Sequence, residues 1–247
     1  MKIKSFFFIA FSILITFNSL AQNQDRKFKI HTLAFYNLEN LFDTINDINK
    51  DDEKSPIMEI KFNRGKIYKQ KVSNMARVIS DIGYDITNRP PSIIGICEVE
   101  NRVVVEDLIA DEKLSKVNYG IVHYDSPDKR GIDVGLLYNK DVFEVMNSKS
   151  HVLYINYNNT SNRSYTRDQL VISGKLDGEL IHLIVNHWPS RGADETKRMA
   201  AAEVNNNIID SLRKIHNNPK IITMGDFNDD PFDKSIKKIL GAKKKIE

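Results

Sequence analysis

Four short runs along the chain alternate apolar and polar positions, and each closes with a polar group on its apolar face. They are Leu33, Phe35 and Asn37; Ile94, Ile96 and Glu98; Leu183, Val185 and His187; and Ile222, Met224 and Asp226. Side chains at i and i+2 share one face of a strand, so each run predicts a core strand with a polar side chain at its C-terminal end. The fourth is read as a buried strand from Lys220 to Met224, and continued extension would bring Asn228 onto the same face. A buried carboxylate without a partner is costly, so Glu98 and Asp226 are expected to be paired, metal-bound or reached by water. One polar strand end is the ordinary start of a turn. Four of them predict that Asn37, Glu98, His187 and Asp226 converge on one rim of the core.

Helical spacing takes over elsewhere. Lys66 to Ile82 places Ile67, Val72, Met75 and Ile79 on one stripe and stops at Gly83, while Asp194 to His216 carries Met199, Ala202, Ile208, Ile209 and Leu212. A shorter helix is expected over Val103 to Ala110. Further strands are read at 119–124, 132–138, 142–146, 150–156, 168–176 and 180–187. Periodicity thus predicts a mixed α and β protein without choosing its arrangement. A chain of 247 residues is long enough for one sizeable core, and a single domain is expected over 22–247.

Those polar strand ends sit in four recognisable motifs: Phe35-Tyr36-Asn37-Leu38-Glu39-Asn40, Ile96-Cys97-Glu98-Val99-Glu100-Asn101, Asn186-His187-Trp188-Pro189-Ser190 and Gly225-Asp226-Phe227-Asn228. In order and spacing the chain resembles the endonuclease/exonuclease/phosphatase superfamily from about Ile30 to Leu240. The resemblance implies an α+β fold, a four-layered α/β sandwich of two mostly antiparallel sheets with outer helices. It implies, too, a metal-dependent phosphoric ester hydrolase. Relatives carry further strands and an Asp-His pair after the last motif, but the 19 residues that follow Asn228 contain no His. By that comparison the domain is expected to be C-terminally incomplete, with reduced stability and activity.

Charge narrows the picture. The formal net charge is +3, falling to +1 once Lys2 and Lys4 are set aside, which is no broad footprint for nucleic acid. Both lysines lie in Met1 to Ala21, where the apolar run Phe6 to Phe17 and Ser19-Leu20-Ala21 read as a signal peptide. That run is shorter than the roughly 20 residues of a membrane span, so a secreted or periplasmic protein is expected. The single cysteine, Cys97, permits no disulfide within the chain and is read as a buried small side chain.

Oxygen donors suit a hard cation, so Mg²⁺ or Mn²⁺ is expected at Glu98 and Asn37, while the separated His182 and His187 argue against zinc. In this reading Asp226 orients or deprotonates the attacking water, Asn228 donates to the phosphate, and His187 is an acid or a phosphate donor. Arg191, Arg130 and Arg167 are candidate phosphate contacts, with Arg191 favoured because it lies four residues past His187. Glu100 and Asn101 are read as supporting residues, with Glu100 equally able to cap the helix that follows. Asp43 to Arg64 is taken as a solvated loop: Asp47, Asn49 and Asp51 imitate a calcium loop, but Asp52 and Met58 stand where a Gly and a Glu are needed. Tyr154 to Arg167 is read as a hairpin whose tyrosines could stack bases, and Lys243 to Lys245 as a frayed end.

The expected function is a secreted endonuclease acting on nucleic-acid phosphodiester bonds, monomeric and without a membrane span. A phosphatase or lipid phosphodiesterase with the same metal site, and a non-catalytic binding module, are the alternatives.

Overall fold

The alternating runs form strands and the stripes form helices in a computed structural model that describes residues 28–156 and 160–243. The expected signal peptide, Tyr157 and Lys244 to Lys245 lie outside the described residues. In chain order the elements are β1 (Leu33–Leu41), α1 (Pro56–Glu59), α2 (Arg64–Asp81), α3 (Tyr84–Thr87), β2 (Ile93–Val99), α4 (Arg102–Ala110), β3 (Tyr119–His123) and β4 (Asp133–Asn139). They continue with β5 (Phe143–His151), β6 (Ile155–Asn156), β7 (Arg163–Ser164), β8 (Gln169–Leu176), β9 (Glu179–His187), α5 (Glu195–Ile215) and β10 (Lys220–Asp226). The described residues from His31 onward make up one compact unit. No helix among the described residues is long and apolar enough to cross a membrane.

One sheet has the order β1-β2-β4-β3 and the other β10-β9-β8-β5. Each holds one parallel pair, β1 with β2 and β10 with β9, and is otherwise antiparallel. Face to face they enclose Ile93, Cys97, Val134, Leu136, Leu170, Ile172, Leu183 and Val185, with Phe35 and Met224 alongside. On the outside of the first sheet, Val72, Met75 and Ile79 of α2 and Val104, Val105 and Leu108 of α4 cover Ile94, Ile96 and Leu137. On the outside of the second, Ile208 of α5 packs on Val171 and Ile184, and Ala201 and Ala202 pack beside Trp188. These are the four layers of the expected α/β sandwich. Each fully buried aliphatic side chain contributes about 1.5–3 kcal/mol, so the three interfaces together outweigh any single polar contact described below.

Local chemistry fixes where the outer helices begin. Asn101 accepts a hydrogen bond from Val104 N at 3.1 Å and caps α4, while Asp194 accepts from Thr196 N at 2.9 Å and caps α5. Glu100 does not cap; its carboxylate takes the Asp43 amide at 2.7 Å.

Several expectations change. The strands read at 142–146 and 150–156 are one long β5 with a bulge between Val145 and Asn147, followed by the short β6. β10 is an edge strand rather than a buried one: with a neighbour on one side only, its Ile222 is exposed. Extension ends at Asp226, and Asn228 adopts a left-handed φ of 51° instead of continuing the strand. The loop after β1 has a folded heart, in which buried Asp52 accepts the Asp47 amide at 2.9 Å. A glycine at that place would lose this anchor.

Candidate active site

Asn37 and Cys97 are register partners across β1 and β2, and Asp226 and His187 are partners across β10 and β9. Partners point to the same face, so the parallel pair of each sheet delivers two side chains into the gap between the sheets. Asn37 then joins the halves, because its Nδ2 donates to Glu98 Oε1 at 3.0 Å and to Asp226 Oδ2 at 3.1 Å. Its Oδ1 accepts the Glu39 amide at 2.8 Å, which fixes the orientation of the side chain.

Glu98 reaches this point by a route that alternation does not describe. Ile94 and Ile96 face the outer helices, so a regular strand would carry Glu98 outward with them. A register shift between Cys97 and Val99 and a φ of 59° at Glu98 turn the carboxylate inward. The matching irregularity in β1 lies between Asn37 and Leu41, where Glu39 and Asn40 have positive φ. There the Asn40 amide donates to Glu98 Oε2 at 2.9 Å. Lys71 of α2 pins the same bulge by donating to the carbonyls of Glu39 and Asn40. Burial pushes its ammonium pKa down, with Glu39 and Glu98 opposing the shift.

At the opposite wall, His187 is buried, and its Nε2 lies 3.7 Å from Glu98 Oε1, beyond hydrogen-bond length. Burial, then the charges of Arg167 and Arg130, push its pKa down to about 2, so the ring is neutral and has a single N–H to donate. Its Nδ1 has no partner. Trp188 holds the two strand ends together: its N–H donates to the Asp226 carbonyl at 2.9 Å, and its carbonyl accepts from Asn228 Nδ2 at 3.0 Å and Arg167 Nη2 at 2.6 Å. Below it, Trp188 Nε1 donates to Asn186 Oδ1 at 3.0 Å, and Asn186 Nδ2 donates to Thr223 Oγ1 at 3.0 Å. Gly225 permits the close approach of β10 to β9, since a Cβ there would stand 2.3 Å from the Asn186 carbonyl oxygen.

Asn37, Glu98, His187 and Asp226 are therefore brought together. Asn228 adjoins them, its amide donating to Asp226 Oδ1 at 3.0 Å. Arg130 and Arg167 stand at the flank on Asp128, which accepts from Arg130 Nε at 3.2 Å and Arg167 Nη1 at 3.3 Å. Arg191, the favoured phosphate contact, reaches the edge of this site, where its Nε donates to the Asn228 carbonyl at 3.2 Å. The rest of its exposed guanidinium is engaged by two carboxylates, its Nη2 donating to Asp230 at 2.8 Å and to Asp233 at 2.7 Å.

Sequence reasoning missed Lys71, Asp128 and the place of Cys97. Cys97, His187 and Asp226 offer ligand atoms within 4.8 Å of one another, a trio hidden by sequence distance. Alternation from Ile93 through Gly95 was the available signal. Burial, then the charges of Glu98 and Asp226, push the Cys97 thiol pKa up. His123, Asp125 and Asp133 form a second such group, in which His123 Nε2 lies 3.1 Å from Asp133 while Asp125 is exposed.

Two partly exposed carboxylates drawn onto one amide, Glu98 also lying 3.7 Å from His187 Nε2, form a donor set that fits a hard divalent cation. Glu98 and Asp226 would supply the charge and Asn37 their alignment.

Comparison with known proteins matches residues 32–247 to the family model described as Endonuclease/Exonuclease/phosphatase family. Among curated proteins no sequence match was found. Solved structures that the chain is similar to include a mannosyl-6-phosphatase of Bacteroides thetaiotaomicron, at 16% identity and a TM-score of 0.51 over 70% of this chain and 61% of that one. An endonuclease/exonuclease/phosphatase family protein of the same organism follows at 16% identity and 0.50, over 70% and 58%. A conserved Enterococcus faecalis protein matches at 16% and 0.50, over 69% and 62%. The chain spans about three fifths of the length of these solved chains, and identities this low speak to the fold alone.

Proposed function

Because the chain belongs to the endonuclease/exonuclease/phosphatase family, we propose that it is a secreted, divalent-metal-dependent phosphodiesterase, and within that class a nuclease. The observation that carries this reading is the bridging of Glu98 and Asp226 by one Asn37 amide beside neutral His187. Mg²⁺ or Mn²⁺, held by Glu98 and aligned by Asn37, would neutralise charge on the phosphate oxygens. As the water oxygen bonds to phosphorus and the ester oxygen opposite it departs, to be protonated by solvent, Asp226 accepts the water's proton, its two oxygens aimed by Asn37 and by the Asn228 backbone amide. His187 donates its single N–H to the phosphate, and Asn228 adds the amide hydrogen not given to Trp188. Arg130 and Arg167 complete a cationic wall for the phosphate.

A second reading, a phosphatase or phosphodiesterase of small esters, is favoured by the charge: +1 without Lys2 and Lys4 gives no extended surface for a polyanion. The deciding experiment is hydrolysis of plasmid DNA, RNA and bis(p-nitrophenyl) phosphate with Mg²⁺, Mn²⁺ or EDTA, beside Glu98→Gln. Metal-dependent cleavage, reduced roughly 10²- to 10⁴-fold in the variant, is expected, and the preferred substrate separates the two readings. Cleavage that survives EDTA, or an unimpaired variant, would sink the assignment. Export is tested by N-terminal sequencing: a start at Gln22 supports it, and an intact Met1 overturns it.

A further inference from the structure

Beside the hydrolytic residues lies a cavity of about 290 Å³ whose lining includes Lys129, Arg130, Arg167 and Lys197 but a single carboxylate, Asp128. Three positive charges in excess thus face one small space, in a chain whose residues after the leader carry +1 in total. Asp128 orders the guanidiniums without neutralising both, because it accepts from Arg130 at 3.2 and 3.1 Å and from Arg167 at 3.3 Å. Two further groups on this wall, Thr166 Oγ1 and Arg167 Nε, are buried without a hydrogen-bond partner. Buried polar groups are almost always satisfied, so a pair of them on one cationic wall calls for an acceptor. Arg167 also forms the partition with the hydrolytic site: its Nη2 donates to the carbonyl of Trp188, the residue after His187.

We propose that this cavity binds a second phosphate of the substrate, next to the one hydrolysed. The substrate class is then a phosphate ester with two neighbouring phosphates, which a nucleic-acid strand and a small bisphosphate ester both provide. Ammonium and guanidinium groups suit phosphate oxygens, and Thr166 adds a hydroxyl donor. The inference rests on the hydrolase reading above, and its test separates the two.

Hydrolysis by the purified chain is to be compared for a single-stranded oligonucleotide against a dinucleoside monophosphate, and for a small bisphosphate ester against its monophosphate. The variants are Lys129→Gln with Lys197→Gln, Thr166→Val, and Lys69→Gln as a control for net charge. The double variant is expected to raise KM for the two-phosphate substrate about tenfold or more, the scale of one charge-assisted hydrogen bond, and to leave KM for the one-phosphate substrate unchanged. Whichever pair shows this contrast identifies the source of the second phosphate. An equal change on both substrates, or one reproduced by Lys69→Gln, overturns the proposal. Calorimetric binding of inorganic pyrophosphate to Glu98→Gln supplies a readout without turnover. Binding lost in the lysine variants supports the cavity even if nothing is hydrolysed, in which case the hydrolase reading alone fails. Hydrolysis without any lysine dependence leaves that reading standing and removes this one.

Discussion

The two sheets solve one problem by different means. Each brings the C-terminal ends of a parallel pair to the gap, yet β9 and β10 arrive as regular strands in unbroken register, and β1 and β2 both break register at their last residues. From the regular side come His187 and Asp226 as partners; from the irregular side comes Glu98, on a backbone with φ 59°. A regular strand fixes a side chain through pairing along its whole length, whereas a bulge needs dedicated supports. Asn37, the Asn40 amide and Lys71 are those supports. One carboxylate is held by the sheet and the other by contacts that can be removed singly.

The largest expected effect falls on the regular side. Asp226→Asn should lower turnover roughly 10²- to 10⁴-fold while the thermal unfolding midpoint stays put, because the strand does not depend on the charge. A variant of wild-type rate would remove Asp226 from the mechanism. Next comes the contact that ties the sheets together at the flank, Asp128 between β3 and β4 with Arg167 just before β8. Burial raises the Asp128 pKa, but hydrogen bonds and charge from Arg130, then charge from Arg167, outweigh it and hold the carboxyl below 3.8. Its stabilising contribution is therefore complete above 3.8 and is lost as the pH falls through the lower, folded-state value. Asp128→Asn leaves buried Arg167 without its counter-charge and should cost about 3 kcal/mol near neutrality. Urea midpoints of variant and wild type should converge below pH 3.8, and a gap that stays constant there would refute the assignment.

The same contrast explains what the sequence disclosed. Period-two runs and helical stripes located the regular strands and α2, α4 and α5, because burial of alternating or one-sided apolar positions dictates both pattern and structure. Glu98 was placed at the site for an incorrect reason, since its apparent face with Ile94 and Ile96 is the outer one. A bulge leaves no period to read. Arg191 shows a related limit: distance along the chain after His187 says nothing of Asp230 and Asp233, which engage its guanidinium beside Asn228. Lys71 acts through Glu39 and Asn40 and Asp128 ties in Arg167, partners remote in sequence, and residue type alone could not point to them.

Two backbone substitutions sharpen the comparison further. Gly225→Ala forces a Cβ to within 2.3 Å of the Asn186 carbonyl, an atom fixed in the ladder, and should destabilise the chain by about 2 kcal/mol. The bulged side should respond in the opposite sense. At Glu98 the left-handed backbone disfavours any residue with a Cβ, so Glu98→Gly and Glu98→Ala, both lacking the carboxylate, should differ in stability by about 1 kcal/mol in favour of glycine. Because both variants lose the hydrogen bonds to Asn37 and the Asn40 amide, that difference isolates the conformation of one residue. Equal denaturant midpoints would mean that the bulge relaxes once its carboxylate is gone. The left-handed turn would then be a product of those two contacts, and the irregular sheet would hold its half of the site only while Glu98 is there to be held.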